Sequence, residues 1–151
     1  MAVNGRCGAS GFYWVNEADI VIAADDAVFY DSHINIGAPA LNEAISLSRR
    51  IPLGEAMRLI LLSLNERMSV ARAHQIGLVS EIVPRAELWD RAQDLAEIIA
   101  AKSPVAVQTT VRGVWESLEL GRAESYAQIA GWRTGPEGDY PMPPRARAMI
   151  R

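Results

Sequence analysis

Residues 2–23 constrain the fold most: Ala-Val-Asn-Gly-Arg-Cys-Gly-Ala-Ser-Gly-Phe-Tyr-Trp-Val-Asn-Glu-Ala-Asp-Ile-Val-Ile-Ala. The pattern predicts a strand, a turn of small residues at Gly8-Ala9-Ser10-Gly11, a helix and a second strand. Backbone N–H groups at a helix start have no intrahelical partner, and the helix dipole adds partial positive charge there. Small residues let a ligand approach the backbone closely. Such a turn suits an anion, or a carbonyl oxygen that gains negative charge. The competing reading is that the small residues serve packing alone. Two phosphate-binding signatures are absent. Gly5, Gly8 and Gly11 are evenly spaced and do not form Gly-x-Gly-x-x-Gly, and no Gly-Lys-Ser/Thr follows.

The 151 residues suffice for one domain with a core, and half of them are hydrophobic. A net charge of −3 offers no basic field to nucleic acid. No apolar run reaches the ~18–20 residues of a membrane span. The N-terminal residues lack the charged and apolar regions of a signal peptide. Cys7 is the single cysteine, so no internal disulfide forms and a reducing cytoplasm is expected. His33 and His74 stand apart without metal-ligand spacing, so no metal is expected.

Short strands are expected at residues 2–4, 20–23, 28–30 and 80–83. Helices are expected over 41–51, with apolar Leu41, Ala44, Ile45 and Leu47, and over 53–64, which is apolar enough to be buried. Ser69 is a suitable N-cap for a helix over 70–76, and Gly77 a suitable end. Residues 87–101 are amphipathic, with Leu88, Ala92, Leu95 and Ile99 on one stripe. Ser103-Pro104 opens a further helix with Val107, Val111, Val114, Trp115 and Leu118 on its face, and another spans 122–133. From Gly135 onward Gly and Pro dominate, which predicts an irregular tail. The expected division is therefore 1–84 for the core, 85–134 for a helical region and 135–151 for the tail. Few strands precede many helices, and the first strand starts directly at Met1. The chain reads as the second half of something larger.

Five blocks carry a resemblance. They are Ala2-Val3-Asn4-Gly5 with the small-residue turn; Ala18-Asp19-Ile20-Val21-Ile22-Ala23; Ala27-Val28-Phe29 with Ile34-Asn35-Ile36-Gly37; residues 67–84, from Arg67-Met68-Ser69 to Glu81-Ile82-Val83-Pro84; and Ala101-Lys102-Ser103-Pro104-Val105. In this order and spacing, to about residue 118, they resemble the enoyl-CoA hydratase/isomerase (crotonase) family. The resemblance implies an α/β fold, the C-terminal half of a crotonase-like ββα superhelix with a helical trimerisation region. It implies an acyl-CoA substrate, with CoA as part of the substrate and no separately bound cofactor, and a homotrimer or hexamer. It further implies an oxyanion hole of two backbone N–H groups. One falls at Ser10, flanked by Gly8, Ala9 and Gly11 as substrate-binding residues; the other belongs to an upstream segment outside this sequence.

The departures from the family bear on chemistry. Its hydratases use two glutamates to position and deprotonate water and to deliver a proton. The matching positions hold Tyr13 and His33. His33 exchanges protons near neutral pH, and Asp31, two residues earlier, can orient its ring if the turn is tight. Tyr13 can donate a hydrogen bond. That set suits isomerisation, decarboxylation or thioester hydrolysis on a shared enolate-type intermediate. The alternatives are a structural turn role for His33 and a non-catalytic fragment or pseudoenzyme that forms an oligomer. Glu43 is expected as a carboxylate favoured at a helix N-terminus. Cys7 is expected as a packed thiol rather than a nucleophile.

Overall fold

The computed structural model describes residues 1–133, with side chains through residue 128. The expected irregular tail, 135–151, lies outside the described residues. The chain forms two compact units, Met1–Ala96 and the residues from Glu97 onward.

In the first unit, β1 (Ala2–Val3), β3 (Ile22–Ala24) and β6 (Glu81–Val83) make one parallel three-stranded sheet in the order β1-β3-β6. A second sheet has the order β2-β4-β5: β2 (Arg6–Gly8) runs parallel to β4 (Val28–Tyr30), and β5 (Met68–Ser69) runs antiparallel to β4. The first four strands thus alternate between the two sheets, while β4 and β5 share one. Gly5 makes the first transfer, from β1 to β2, at φ 149°, a backbone angle that side chains rarely allow. Neither β2 nor β5 is among the strands expected from the sequence. Both are too short to show the period-two alternation that marks a strand.

Helix α1 (Gly11–Asn16) connects the sheets and drives Phe12 and Val15 into the core. Phe12 and Phe29 are both fully buried, their ring centroids 6.3 Å apart and tilted by 41°. Burying each such ring contributes ~1.5–3 kcal/mol. Val21, Ala23, Leu47, Leu59, Ala73, Leu78 and Val79 complete this cluster. Helix α2 (Asn42–Arg50) turns Leu47 and Glu43 inward, whereas Leu41 and Ile45 are exposed. This corrects the apolar face expected for that helix. Helix α3 (Leu53–Leu62) is likewise not the buried helix its composition suggests. Only Ala56, Leu59 and Ile60 are buried, while Leu53, Met57, Leu61 and Leu62 are exposed. One stripe of a helix suffices to contact one neighbouring layer, and within these residues α3 has that one stripe covered.

Helix α4 (Val70–Gln75) starts as expected, with Ser69 Oγ accepting from the Arg72 N–H at 3.2 Å. It is followed by Gly77 at φ 84°. Helix α5 (Leu88–Ala100) places Leu88 against Ile22, Ala24 and Val83, with Ala92 and Leu95 packed on the same cluster. Residues to Ala96 therefore group with the sheets.

The second unit holds α6 (Pro104–Ser117) and α7 (Arg122–Arg133). Ser103 caps α6, its side chain accepting from the Ala106 N–H. Gln128 Nε2 donates to Glu116 Oε2 at 2.7 Å and ties the two helices together. Among the described residues no helix is long and apolar enough to cross a membrane.

Candidate active site

The small-residue turn and the Asp31–His33 segment leave the sheet at the same end. β2 and β4 are parallel and in register, with Gly8 opposite Tyr30. The chain beyond each strand, Ala9-Ser10 on one side and Asp31-Ser32-His33 on the other, therefore emerges side by side. Carboxyl ends of adjacent parallel strands are where open α/β sheets bind ligands.

The turn is held close to β4. Ala9 N–H donates to the Tyr30 carbonyl at 3.1 Å. Gly8 leaves room for the Tyr30 ring: a Cβ there would lie 2.5 Å from Tyr30 Cζ. Ala9 has φ 46°, the left-handed region, and Ser10 follows at φ −58°, ψ −13°, the right-handed one. Alternation of this kind turns consecutive N–H groups toward one concavity. A non-glycine residue in the left-handed region costs roughly 1–2 kcal/mol, and such strain concentrates at functional sites. The Ser10 and Gly11 amides donate to no acceptor among the described residues. Ser10 is exposed, and its side chain makes no capping bond.

Asp31 is fully buried at the end of β4. Its Oδ2 accepts the His33 backbone N–H at 2.7 Å, and its Oδ1 faces His33 Nδ1 at 2.8 Å. A short side-chain-to-backbone bond two residues ahead closes a tight turn. That turn carries the imidazole onto its own carboxylate. From behind, Ser63 Oγ donates to the Asp31 carbonyl at 3.2 Å. Ser63 is buried at φ 51°, a second non-glycine residue in the left-handed region. Asn35 Oδ1 accepts the next amide, Leu64 N–H, at 2.9 Å. The end of α3 thus clamps the loop that holds the dyad.

The other ring nitrogen, Nε2, points to Glu43 Oε1 at 3.8 Å. Glu43 is buried in the first turn of α2. Its backbone carbonyl accepts Asn16 Nδ2 at 3.0 Å, which fastens α2 to α1. The hydrogen bond that Asp31 accepts from the ring raises the His33 pKa above its ordinary 6.5; desolvation opposes this, and the charges of Asp31 and Glu43 add to the rise. His33 makes no side-chain cap for the 3-10 turn that follows it.

Tyr13, on α1, is 44% exposed, and its hydroxyl accepts from Asn42 Nδ2 at 3.0 Å. Tyr13 therefore touches the first turn of α2, the turn that also carries Glu43. Cys7 is buried, its thiol pushed up to about 11 by desolvation, which keeps it in the unreactive neutral form. His74 is exposed and pairs through Nδ1 with the Val79 carbonyl at 3.0 Å. Among the described residues no cluster of His, Cys, Asp and Glu could hold a metal ion.

Three further residues support the site, and two of them, Asn42 and Ser63, have no signal in the sequence. Glu43 occupies the helix-start position expected of it, and the α2 face it lies on turns inward beside His33. Asn42 and Ser63 carry no local motif, and only packing brings them in.

Residues 1–130 match the family model described as enoyl-CoA hydratase/isomerase. Among curated relatives, (7aS)-7a-methyl-1,5-dioxo-2,3,5,6,7,7a-hexahydro-1H-indene-carboxyl-CoA hydrolase of Rhodococcus jostii is 38% identical over 68% of this chain and 38% of its own length. Hydroxycinnamoyl-CoA hydratase-lyase of Pseudomonas fluorescens is 32% identical over 78% of this chain and 42% of its own. Among solved structures, an enoyl-CoA hydratase/isomerase from Mycobacterium paratuberculosis superposes with a TM-score of 0.85 at 39% identity, over 87% of this chain and 52% of that one. The chain spans about 40–50% of the length of these relatives. With a crotonase-like fold and a family match that covers most of its length, the chain belongs to the enoyl-CoA hydratase/isomerase family.

Proposed function

We propose that the chain supplies part of a site that acts on an acyl-CoA thioester, with the Asp31–His33 pair moving the proton. The observation that carries this is the buried Asp31 carboxylate locked on His33 Nδ1 at 2.8 Å, beside the turn whose Ser10 and Gly11 amides have no acceptor among the described residues. When an enolate or tetrahedral centre forms, charge moves onto the thioester oxygen. Amides preorganised around that oxygen stabilise it, each donor contributing roughly 10²–10³ in rate. Only the backbone N–H of Ser10 is needed, so its hydroxyl is tolerated where the family has glycine.

Asp31 fixes the ring and leaves Nε2 as the nitrogen that meets substrate. Tyr13 and His33 stand where the family's two glutamates would, so the usual two-carboxylate hydration does not apply. Proton transfer to or from an enolate-type intermediate does, through isomerisation, decarboxylation or hydrolysis. Two relatives named above, a CoA-ester hydrolase and a hydratase-lyase, show that reactions in this family extend past simple hydration. CoA enters as part of the substrate. The second oxyanion donor comes from a segment outside this sequence, and a homotrimer or hexamer is the expected assembly. A second reading is a non-catalytic half that builds an oligomer. The exposed Leu53, Met57 and Leu61 of α3 favour it, because a catalytic role does not require them exposed.

Titration with a panel of acyl-CoA esters, monitored for thioester loss, separates the two. The proposal expects binding and turnover by the wild type once the segment with the second oxyanion donor is supplied. It expects His33→Ala to retain binding while turnover falls by about 10²-fold or more. Turnover unchanged in His33→Ala, or no affinity for any ester, refutes it.

A further inference from the structure

We propose that Glu43 is a third member of the Asp31–His33 array and makes His33 the proton donor of the site. This rests on the reading of His33 as the group that meets substrate, and it adds the direction of proton movement.

The argument begins with the two ring nitrogens. Nδ1 faces Asp31 Oδ1 at 2.8 Å, and Nε2 faces Glu43 Oε1 at 3.8 Å. A carboxylate accepts hydrogen bonds and does not donate them. A neutral ring bonded to Asp31 through Nδ1–H would turn the Nε2 lone pair toward a second negative oxygen. A doubly protonated ring presents an N–H to each carboxylate instead. The resting state that satisfies both neighbours carries a proton on Nε2, aimed along the His33–Glu43 line.

Glu43 is suited to hold that proton in place. It is buried and positioned by the backbone rather than by a flexible surface, since Asn16 Nδ2 anchors its own carbonyl at 3.0 Å. At 3.8 Å it is close enough to attract an imidazolium yet too far to form a full hydrogen bond with it. The proton on Nε2 is thus stabilised but remains available to an incoming group. Asp31 and Glu43 are the charged groups that act on the ring, and both favour its charged form.

The reaction step follows from this. A thioester enolate receives the Nε2 proton at its α-carbon. The Nε2–H bond breaks and the new C–H bond takes the enolate electron pair. The ring is left neutral, hydrogen-bonded through Nδ1–H to Asp31, and it regains a proton from solvent. Glu43 does not touch the substrate in this scheme; it is a positioning residue. The substrate class narrows to thioesters whose enolate arises by loss of a group other than the α-proton, as in decarboxylation or carbon–carbon cleavage.

The test is histidine-ring NMR on the full chain, with ¹⁵N-labelled histidine and His74→Asn to assign the two rings. In the wild type Nε2 should be protonated at neutral pH, and the ring should titrate above its ordinary value. Glu43→Gln should lower the midpoint of His33, and Glu43→Asp should restore part of that. An Nε2 that is unprotonated at neutral pH in the wild type overturns the inference, a measurement that needs no variant to fold. A midpoint unmoved by Glu43→Gln, with the fold retained by circular dichroism, overturns it as well. Neither readout uses a CoA ester, so failure here is distinct from failure of the thioester reading.

Discussion

Gly8 offers the sharpest test of how the turn is held. The residue lies in β2 with an ordinary backbone angle, so alanine is permitted there by φ and excluded only by space. A Cβ would stand 2.5 Å from Tyr30 Cζ and 2.6 Å from Cε2. That is about 1 Å inside ordinary carbon–carbon contact. A ring displaced by the methyl group would also give up its contact with Arg67, whose Cζ lies 5.4 Å from the ring centroid. Overpacking of this size costs roughly 1–3 kcal/mol. Restricting the unfolded chain by Gly→Ala returns roughly 0.4–1 kcal/mol. Gly8→Ala should therefore destabilise by roughly 1–2 kcal/mol, a fall in Tm of roughly 2–8 °C at this chain size. The diagnostic is a double-mutant cycle with Tyr30→Ala, measured by urea unfolding. In the Tyr30→Ala background the clash is gone, and Gly8→Ala should be neutral or slightly stabilising. Equal destabilisation in both backgrounds would refute the steric account and point to a backbone role for Gly8 instead.

Other perturbations separate the remaining forces. Cys7 should resist alkylation in the native protein at pH 8 and react fully once unfolded, as read by mass spectrometry, because burial raises its pKa to about 11. Ser69→Ala removes the N-cap that accepts the Arg72 N–H, and should cost about 1 kcal/mol in urea unfolding. For His33 the folded pKa is raised above 6.5, so its stabilising contribution is complete below that value and lost as pH rises through the folded value. Tm measured from pH 5.5 to 9 should therefore decline over that window in the wild type relative to His33→Gln; parallel curves would remove the Asp31–His33 interaction as a source of stability.

How much of this was legible in the sequence depends on the range of the interaction. Ser69, Gly77 and the Ser103-Pro104 start follow from the local demand to satisfy helix ends, and each is read within four residues. Asp31 and His33 are two apart, so their mutual reach was readable from spacing. The faces of α2 and α3 were not. Periodicity tells which residues share a stripe, but it does not tell which stripe finds a partner. Leu41 and Ile45 are exposed while Glu43 is buried, because α2 is set against α1 through Asn16 and Leu47. No pattern within residues 41–51 encodes that contact. Ser63 reaches Asp31 across 32 residues, which only the return of α3 to the end of β4 makes short.

The same distinction explains why the site sits where it does. Parallel register between β2 and β4 is fixed by three pairs, Arg6 with Val28, Cys7 with Phe29 and Gly8 with Tyr30. A slip of one residue would turn Phe29 out of the core and expose its ring, losing ~1.5–3 kcal/mol of burial. The packing of Phe29 against Phe12 therefore also sets the distance between the Ser10 amide and the Asp31 carboxylate. Core and site are specified by one register, and this is why strands of only three residues can position them. It follows that a cavity at Phe29 should disturb the site as well as the stability. In Phe29→Ala the His33 ring should titrate nearer its ordinary value, even where the fold survives, because the β4 end that aims Asp31 is no longer pinned. A His33 midpoint unchanged in a folded Phe29→Ala variant would show that the α3 clamp at Ser63, rather than the sheet register, holds the dyad.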